Sequence, residues 1–217
     1  MRYEYISWSR FYRLCGALYR RIEAAGFRPE TILAIERGGY PIARVLADYF
    51  DVTDLIGLKV EHYRGPDKLP QAVIPYPLGA DLGGKRVLVV DDVSDSGDTF
   101  NAVLPHILER GEPAVLRTAV LHHKQTSSYR PDFHAQRVIR WRWITYPWAL
   151  VEDLTVLASR FAKPPRSVAE LRSALRGDTG FRLPDTVFAQ VGPIVLERLA
   201  EVRRIPPSPA RSAARAD

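Results

Sequence analysis

The sequence has almost no cysteine, no long apolar run and no block of basic residues. Cys15 is the only cysteine among 217 residues, so no disulfide can form within the chain, and we expect a cytoplasmic protein. No apolar run reaches the ~20 residues that span a bilayer. The N-terminal MRYEYISWSRFYRL lacks the apolar core of a signal peptide. These absences favour a soluble globular protein with no membrane partner.

The charge of the chain is positive but dispersed. A total of 31 Lys and Arg residues against 25 Asp and Glu gives a formal net charge of +6. Such a surplus attracts either nucleic acid or a phosphorylated small substrate. Because the basic residues are spread along the chain without a Lys/Arg block, the charge alone does not favour nucleic acid, and we expect no such partner.

Strand-like and helix-like segments alternate through the first 125 residues. The apolar segments TILAIE (31–36) and RVLVVDD (86–92) predict strands that are buried on both faces. Amphipathic spacing predicts helices over Ser9–Ala25 and Pro41–Phe50. The alternation favours an α/β fold with a mostly parallel sheet.

Proline marks two departures from this alternation. Residues 64–82 contain four prolines and no periodicity, which predicts a long loop or a flexible arm. Pro105 lies inside the helical segment TFNAVLPHILERG and predicts a kink or a break into two short pieces. The later segment RVIRWRWITYPW is strand-like and aromatic.

A boundary follows Phe161, marked by the Lys-Pro-Pro segment at residues 163–165. Residues 166–205 have helical spacing and predict two helices. The last segment, 206–217, consists of Pro, Ala, Ser, Arg and Asp, which predicts disorder. We therefore expect one domain over residues 1–160, a helical extension over 166–205 and a disordered tail.

The segment VLVVDDVSDSGDT (87–99) crowds four carboxylates against the end of a buried strand. These are Asp91, Asp92, Asp95 and Asp98. Their repulsion is unfavourable unless cations or hydrogen-bond donors offset it, so the segment predicts a metal site, a phosphate site or both. A calcium loop that begins at Asp92 would need Glu where Val103 stands. No Walker-type phosphate loop occurs in the chain.

What remains is a strand, an acidic pair, a short polar turn and a helix. In open α/β sheets, ligands bind beyond the carboxyl ends of the strands. Backbone N–H groups at the helix start, with the hydroxyls of Ser96 and Thr99, form a natural phosphate pocket. Gly97 lets the backbone approach a ligand closely. Asp91 and Asp92 are positioned for sugar hydroxyls or a magnesium ion.

The same segment resembles the phosphoribosyl pyrophosphate (PRPP) signature of type I phosphoribosyltransferases. The resemblance implies that Asp91 and Asp92 hold the ribose hydroxyls and lie in the outer shell of Mg²⁺. It implies a 5′-phosphate site over Asp95–Thr99, formed by Asp95, Ser96, Gly97, Asp98 and Thr99, with Asp95 also the general base. The family has Gly or Thr where this chain has Asp98, so we expect that carboxylate to point away from the phosphate, as a helix N-cap.

A second segment, AIERGGYPIARVLA (34–47), resembles the pyrophosphate loop of the same family. There a strand is followed by Arg-Gly-Gly and a helix, as it is here. The resemblance implies that Gly38 and Gly39 expose backbone N–H groups to the diphosphate. Arg37 would then supply positive charge for binding and for the departing pyrophosphate.

A third segment, RWRWITYPWALVED (140–153), resembles the base-binding segment of the 6-oxopurine branch, above all of bacterial xanthine-guanine phosphoribosyltransferases. The resemblance implies that Trp143 stacks on the purine, that the backbone of Ile144 contacts the base edge and that Lys124 donates to the exocyclic oxygen. Core packing is the alternative for Trp143 and our preference for Trp148. A solvated loop position is the alternative for Lys124.

The resemblance covers about residues 28–157 and implies the type I phosphoribosyltransferase fold, with a small hood over 62–83 and a base-binding segment over 122–150. It implies transfer of the phosphoribosyl group from PRPP to xanthine, guanine or hypoxanthine in purine salvage, with Mg²⁺. We expect a homodimer or a higher homo-oligomer. A regulatory protein that senses PRPP or a nucleotide on the same fold stays open as the alternative.

Overall fold

The structure is a computed structural model that describes residues 2–64 and 67–204. The predicted disordered tail, 206–217, lies outside the described residues. The contacts divide the chain into two compact units. The first, which we call the sheet unit, comprises Trp8–Trp141, and the second, the terminal unit, combines the residues before Trp8 with those from Arg142 onward. The predicted domain end at residue 160 stays a prediction.

The described residues form strands and helices in the following chain order. The strands are β1 (Tyr3–Tyr5), β2 (Thr31–Glu36), β3 (Asp54–Lys59), β4 (Glu61–Arg64), β5 (Asp67–Val73), β6 (Arg86–Ser94), β7 (Val115–Lys124), β8 (Phe133–Val138) and β9 (Trp143–Thr145). The helices are α1 (Trp8–Ala24), α2 (Gly39–Phe50), α3 (Asp98–Gly111), α4 (Leu150–Ser159), α5 (Val168–Thr179) and α6 (Asp185–Arg204).

The sheet unit is built on a five-stranded sheet in the order β3-β2-β6-β7-β8. All neighbouring strands in it run parallel. The central strand β6 buries every residue from Val87 to Val90, as a strand covered on both faces must. The sequence prediction of a mostly parallel sheet is confirmed, and the carboxyl ends of its strands meet at one edge.

Three helices cover this sheet. Helix α1 packs against β7 and β8, and α2 packs against β2 and β6. Helix α3 contributes Phe100, Val103 and Ile107 to a buried cluster with Val87 and Val89 of β6. The buried face of α1 includes Cys15, and burial raises the pKa of its thiol to about 12. Cys15 is therefore a core residue that stays protonated.

The segment after β3 contains more regular secondary structure than the sequence predicted. Strands β4 and β5 pair antiparallel, with Glu61 opposite Val73 and Arg64 opposite Asp67. Beyond them Leu78 is buried in the core, and its backbone N–H donates to His106 Nε2 at 3.1 Å. The expectation of a long loop was wrong for β4 and β5, because cross-strand backbone pairing does not require hydrophobic periodicity.

Helix α3 runs unbroken through Pro105, so the predicted break did not occur, and the predicted kink stays a prediction. Pro105 lies on the exposed side of the helix, whereas Val103 and Ile107 on either side of it are fully buried. Both halves of the helix are therefore held against the sheet. Water can satisfy the carbonyl that loses its partner N–H.

The described residues of the terminal unit, up to residue 204, form a small two-stranded sheet and three helices. Strand β1 pairs in parallel with β9, Tyr3 opposite Trp143 and Tyr5 opposite Thr145. Helices α5 and α6 are the two predicted from the sequence, and α4 was not predicted. The three share one buried cluster that includes Leu154, Leu171 and Leu199. No described helix has the length and apolar character to cross a bilayer.

Candidate active site

An acidic pair occupies the carboxyl end of β6. Asp91 is only 8% exposed, and its Oδ1 accepts the backbone N–H of Asp92 at 2.8 Å. Burial, and then the negative charge of Asp92, raise the pKa of Asp91 well above its usual value. A negative charge is unfavourable there unless a ligand supplies hydroxyl donors or a cation.

The turn between β2 and α2 lies directly against this acidic pair. A methyl group built on Gly38 would overlap the carboxylate of Asp92, and one on Gly39 would overlap the carbonyl oxygen of Val90. The two glycines are therefore required because the chain passes so close to β6. Arg37 precedes them, and the peptide bond between Glu36 and Arg37 is cis.

The turn between β6 and α3 contains the residues predicted to bind a phosphate. Gly97 has a φ of +96°, a left-handed conformation that strongly favours glycine. A methyl group there would also lie 2.6 Å from both Ser128 Oγ and the backbone nitrogen of Tyr129. Ser96 precedes Gly97, and Thr99 is in the first turn of α3.

Asp98 does not cap helix α3, contrary to the sequence prediction. It is the first helical residue, and Gly97 occupies the N-cap position without a side-chain hydrogen bond. The backbone N–H of Asp98 donates to Ser96 Oγ at 3.4 Å. A carboxylate in the first helical turn is still favourable, because it faces the positive end of the helix dipole.

A loop that the sequence did not single out supports this turn. Ser128, between β7 and β8, donates its backbone N–H and its hydroxyl to the carbonyl oxygen of Ser96, at 2.8 and 2.7 Å. Next to it, the ring of Tyr129 stacks on Phe100 of α3, with 4.8 Å between centroids. The segment QTSSYRP resembles an ordinary loop, so no sequence signal marks this role.

Three polar or aromatic side chains of the sheet unit converge beside the turn. Lys124 Nζ lies 2.6 Å from Asp95 Oδ2, and Trp141 Nε1 donates to Asp95 Oδ1 at 3.2 Å. Lys124 Nζ also lies 4.5 Å from the centroid of the Trp141 ring. Lys124 is 3% exposed, so the alternative of a solvated loop lysine is wrong.

Trp141 is the residue of this group that the sequence did not predict. It is 38% exposed and lies two positions before Trp143, which carries the family resemblance. A signal was present in the Trp-Arg-Trp repeat of the aromatic segment. The repeat by itself does not show which of its two indoles contacts Asp95.

The predicted base-binding residues Trp143 and Ile144 belong to the terminal unit. There they form β9, and the backbone N–H of Trp143 donates to the carbonyl of Arg2 at 2.9 Å. The side chain of Trp143 is hydrogen-bonded to Asp153, yet 39% of the residue is exposed. Ile144 is buried. Their role toward a base stays a prediction.

Trp148 and two histidines of β7 are packing side chains. The Trp148 ring stacks on Tyr146, with centroids 4.8 Å apart, in line with the predicted packing role. His122 and His123 are both buried at the end of β7. Burial, and then the charges of Arg137 and Arg130, lower the pKa of His123.

These features define an α/β protein whose candidate site lies at the carboxyl edge of a parallel sheet. The phosphoribosyl transferase domain family matches residues 4–153. The chain belongs to that family. The predicted family and its type I fold are thereby confirmed, and helices α5 and α6 lie outside the matched range.

Several relatives with known names are purine phosphoribosyltransferases, consistent with the 6-oxopurine branch, and others are bifunctional PyrR proteins. The xanthine-guanine phosphoribosyltransferase of Cereibacter sphaeroides is 27% identical over 150 residues, which cover 66% of this chain and 85% of that protein. The structure of a purine phosphoribosyltransferase from Pyrococcus horikoshii is 32% identical, with a TM-score of 0.59, and the match covers 68% of this chain and 94% of that one.

A third relative is a hypothetical protein from Neisseria gonorrhoeae whose structure contains bound ppGpp. It is 27% identical to this chain, with a TM-score of 0.60. The match covers 68% of this chain and 89% of that one. The fold is therefore also found in a protein that holds a guanine nucleotide.

Proposed function

We propose that this protein transfers the 5-phosphoribosyl group of PRPP to a 6-oxopurine, giving a nucleoside 5′-monophosphate and pyrophosphate. The observation that carries the proposal is the contact between Lys124 Nζ and Asp95 Oδ2, at 2.6 Å. It places a positively charged donor beside a negatively charged acceptor. The names of the relatives support the same class of reaction.

This pair matches the edge of a 6-oxopurine. O6 and N7 lie side by side on that edge, and a base protonated on N7 presents an acceptor next to a donor. Lys124 would donate to O6 while Asp95 accepts from N7–H. Adenine carries an amino donor in place of O6, which would face the Lys124 ammonium. The pair therefore favours guanine, hypoxanthine or xanthine over adenine.

The turns around the acidic pair supply the groups that PRPP requires. Backbone N–H groups in the turn of residues 95–99, with the hydroxyls of Ser96 and Thr99, would hold the 5′-phosphate. Asp91 and Asp92 would accept hydrogen bonds from the ribose hydroxyls. Arg37 and the backbone of Gly38 and Gly39 would bind the diphosphate.

In the reaction, a ring nitrogen of the base forms a bond to C1 of the ribose while the bond from C1 to the pyrophosphate oxygen breaks. Positive charge develops on the sugar ring and negative charge on the leaving group. Asp95 would accept the N7 proton as the attacking ring nitrogen loses electron density to C1, which leaves the base of the product neutral. Arg37 would stabilise the departing pyrophosphate, so positioning and electrostatics carry the catalysis.

The adjacent carboxylates also fit a magnesium ion bound with the substrate. Among the residues that the structure describes, no cluster of three His, Cys, Asp or Glu side chains could hold a metal by itself. The raised pKa of Asp91 reflects burial and repulsion that a nearby cation would relieve. Asp91 and Asp92 would thus form an outer shell around Mg²⁺ held mainly by PRPP oxygens and water. When bound, the ion would neutralise charge on the pyrophosphate.

The direct test is an assay of purified protein with PRPP, Mg²⁺ and one base at a time. We expect release of pyrophosphate with at least one of xanthine, guanine and hypoxanthine, and little with adenine. Pyrophosphate release with adenine alone, or with no base at all, would contradict the proposal.

A second candidate function is the binding of a nucleotide as a regulatory signal. The observation that favours it is the ppGpp bound to the Neisseria gonorrhoeae relative. Titration calorimetry with PRPP, guanosine monophosphate and ppGpp distinguishes the two functions. Tight nucleotide binding without turnover of any base would favour the regulator.

A further inference from the structure

Trp141 makes two different contacts with the pair that carries the proposed function. Its indole N–H donates to Asp95 Oδ1 at 3.2 Å, and Lys124 Nζ lies 4.5 Å from its ring centroid. Asp95 Oδ2 is bound by Lys124, so both oxygens of this carboxylate have a donor. The three side chains form a closed triangle.

Each contact of Trp141 restricts the orientation of one member of the Lys124–Asp95 pair. The side chain of Asp95 is 42% exposed, so a single contact to Lys124 would leave the carboxylate free to turn about its last torsion. A second donor on Oδ1 fixes its plane. The Lys124 ammonium has three N–H donors, and an aromatic face attracts such a cation. The indole ring therefore sets the direction in which the remaining N–H donors of Lys124 point.

We propose that Trp141 is a positioning residue for base recognition, which orients Asp95 through its N–H and Lys124 through its ring face. This inference rests on the proposed function, because it concerns the alignment of the same donor and acceptor with O6 and N7. Trp141 acts through Asp95 and Lys124. Its loss should reduce turnover and the preference for oxopurines and leave PRPP binding unchanged.

Two substitutions separate the two contacts. Trp141→Phe keeps an aromatic face for Lys124 but removes the N–H. We expect kcat with the preferred oxopurine to fall about tenfold, the scale of one hydrogen bond to a charged group, with an unchanged KM for PRPP. Trp141→Ala removes both contacts and should also lower the ratio of oxopurine to adenine kcat/KM. Trp8→Phe, at an exposed tryptophan of α1, is the control for a general effect of losing an indole.

A double-mutant cycle tests whether Trp141 acts through Asp95. In an Asp95→Ala background the acceptor is absent, so adding Trp141→Phe should cause no further loss of kcat. A loss of equal size in both backgrounds would show that Trp141 acts through packing alone and would overturn the inference. So would wild-type kcat in Trp141→Phe.

A second measurement does not depend on activity. The indole N–H proton of Trp141, assigned in an NMR spectrum by its absence in Trp141→Phe, should move upfield in Asp95→Ala, while that of Trp8 stays in place. An unmoved Trp141 signal would overturn the inference. If the wild-type protein accepted no base as a substrate, the proposed function would be wrong. The change in the Trp141 chemical shift in Asp95→Ala would then decide by itself whether Trp141 orients Asp95.

Discussion

At the scale of single residues, Asp91 combines deep burial with a neighbouring negative charge. Both raise its pKa, so the folded protein binds the proton more tightly than the unfolded chain does. Its contribution to stability is therefore largest at acidic pH and is lost as the pH rises through the raised pKa. At neutral pH Asp91 therefore lowers the stability of the folded protein, a cost that its proposed contact with the ribose hydroxyls explains.

Asp91→Asn should therefore stabilise the ligand-free protein at neutral pH while PRPP binding weakens. Asn can still accept the N–H of Asp92 without carrying a buried charge. The gain in melting temperature should shrink as the pH falls through the raised pKa of Asp91 and should be gone once the pH is below ~4, the ordinary range for Asp. Thermal unfolding across pH measures it, with Asp51→Asn at an exposed position as the control for a lost negative charge. An equal gain at every pH would contradict this explanation.

Lys124 and Trp143 should differ in the kind of selectivity that each provides. If Trp143 stacks on the base as predicted, Trp143→Ala should weaken every accepted purine by roughly 1–3 kcal/mol, because all purines share that surface. If Lys124 donates to O6 as proposed, Lys124→Ala should cost oxopurines about 1.5–3 kcal/mol and cost adenine little. The guanine-to-adenine ratio of kcat/KM, measured for both variants, should fall only in Lys124→Ala. An unchanged ratio would remove Lys124 from the base site.

At the scale of elements, the turn between β6 and α3 depends on the loop between β7 and β8. Ser128 binds the carbonyl of Ser96, and Asn101 of α3 donates to Ser128 Oγ at 3.2 Å. The turn proposed to bind the phosphate is thus held by contacts with two elements of the fold. Such preorganisation lowers the entropy lost on binding.

Gly97→Ala tests this arrangement. Alanine would be strained at a φ of +96° and would also meet Ser128 and Tyr129 at 2.6 Å. Gly26 has a φ of +71° with nothing near its missing Cβ, so Gly26→Ala isolates the strain, roughly 1–2 kcal/mol. Gly97→Ala should cost more stability in urea unfolding and raise the KM for PRPP. Equal costs in the two variants would show that the loop contact is unimportant.

At the scale of the whole molecule, the terminal unit buries a cluster of its own. Leu171 and Val195 are fully buried, and Leu154 nearly so, with all three in one cluster. Helix α4 begins within the matched family range, which ends at residue 153, whereas α5 and α6 lie wholly beyond it. The two later helices therefore cover apolar surface that would otherwise face water.

A chain ending at residue 165 should lose solubility or assembly, because the apolar face of α4 would be exposed. A chain ending at residue 205 should keep its activity, since the segment it lacks contains no aliphatic side chain larger than alanine apart from proline. The two shortened chains are compared by yield, light scattering and pyrophosphate release. Light scattering of the full chain also tests the predicted homo-oligomer. A soluble, active chain ending at 165 would show that α5 and α6 are dispensable.

The sequence by itself determined the features that depend on neighbouring residues. Apolar runs and glycine or proline positions predicted β2, β6, α1 and α2 nearly to the residue, because strand and helix periodicity are local properties. The order of residue types over 87–99 also identified the family.

The tertiary structure decided what depends on residues far apart in the chain. The pairing of β1 with β9, the support of Ser96 by Ser128 and the contact of Trp141 with Asp95 each join segments whose local patterns name no partner. The break expected at Pro105 did not occur, because burial on both sides outweighs one lost hydrogen bond. Local periodicity fixes which face of an element is apolar, but only packing fixes which distant side chain meets it.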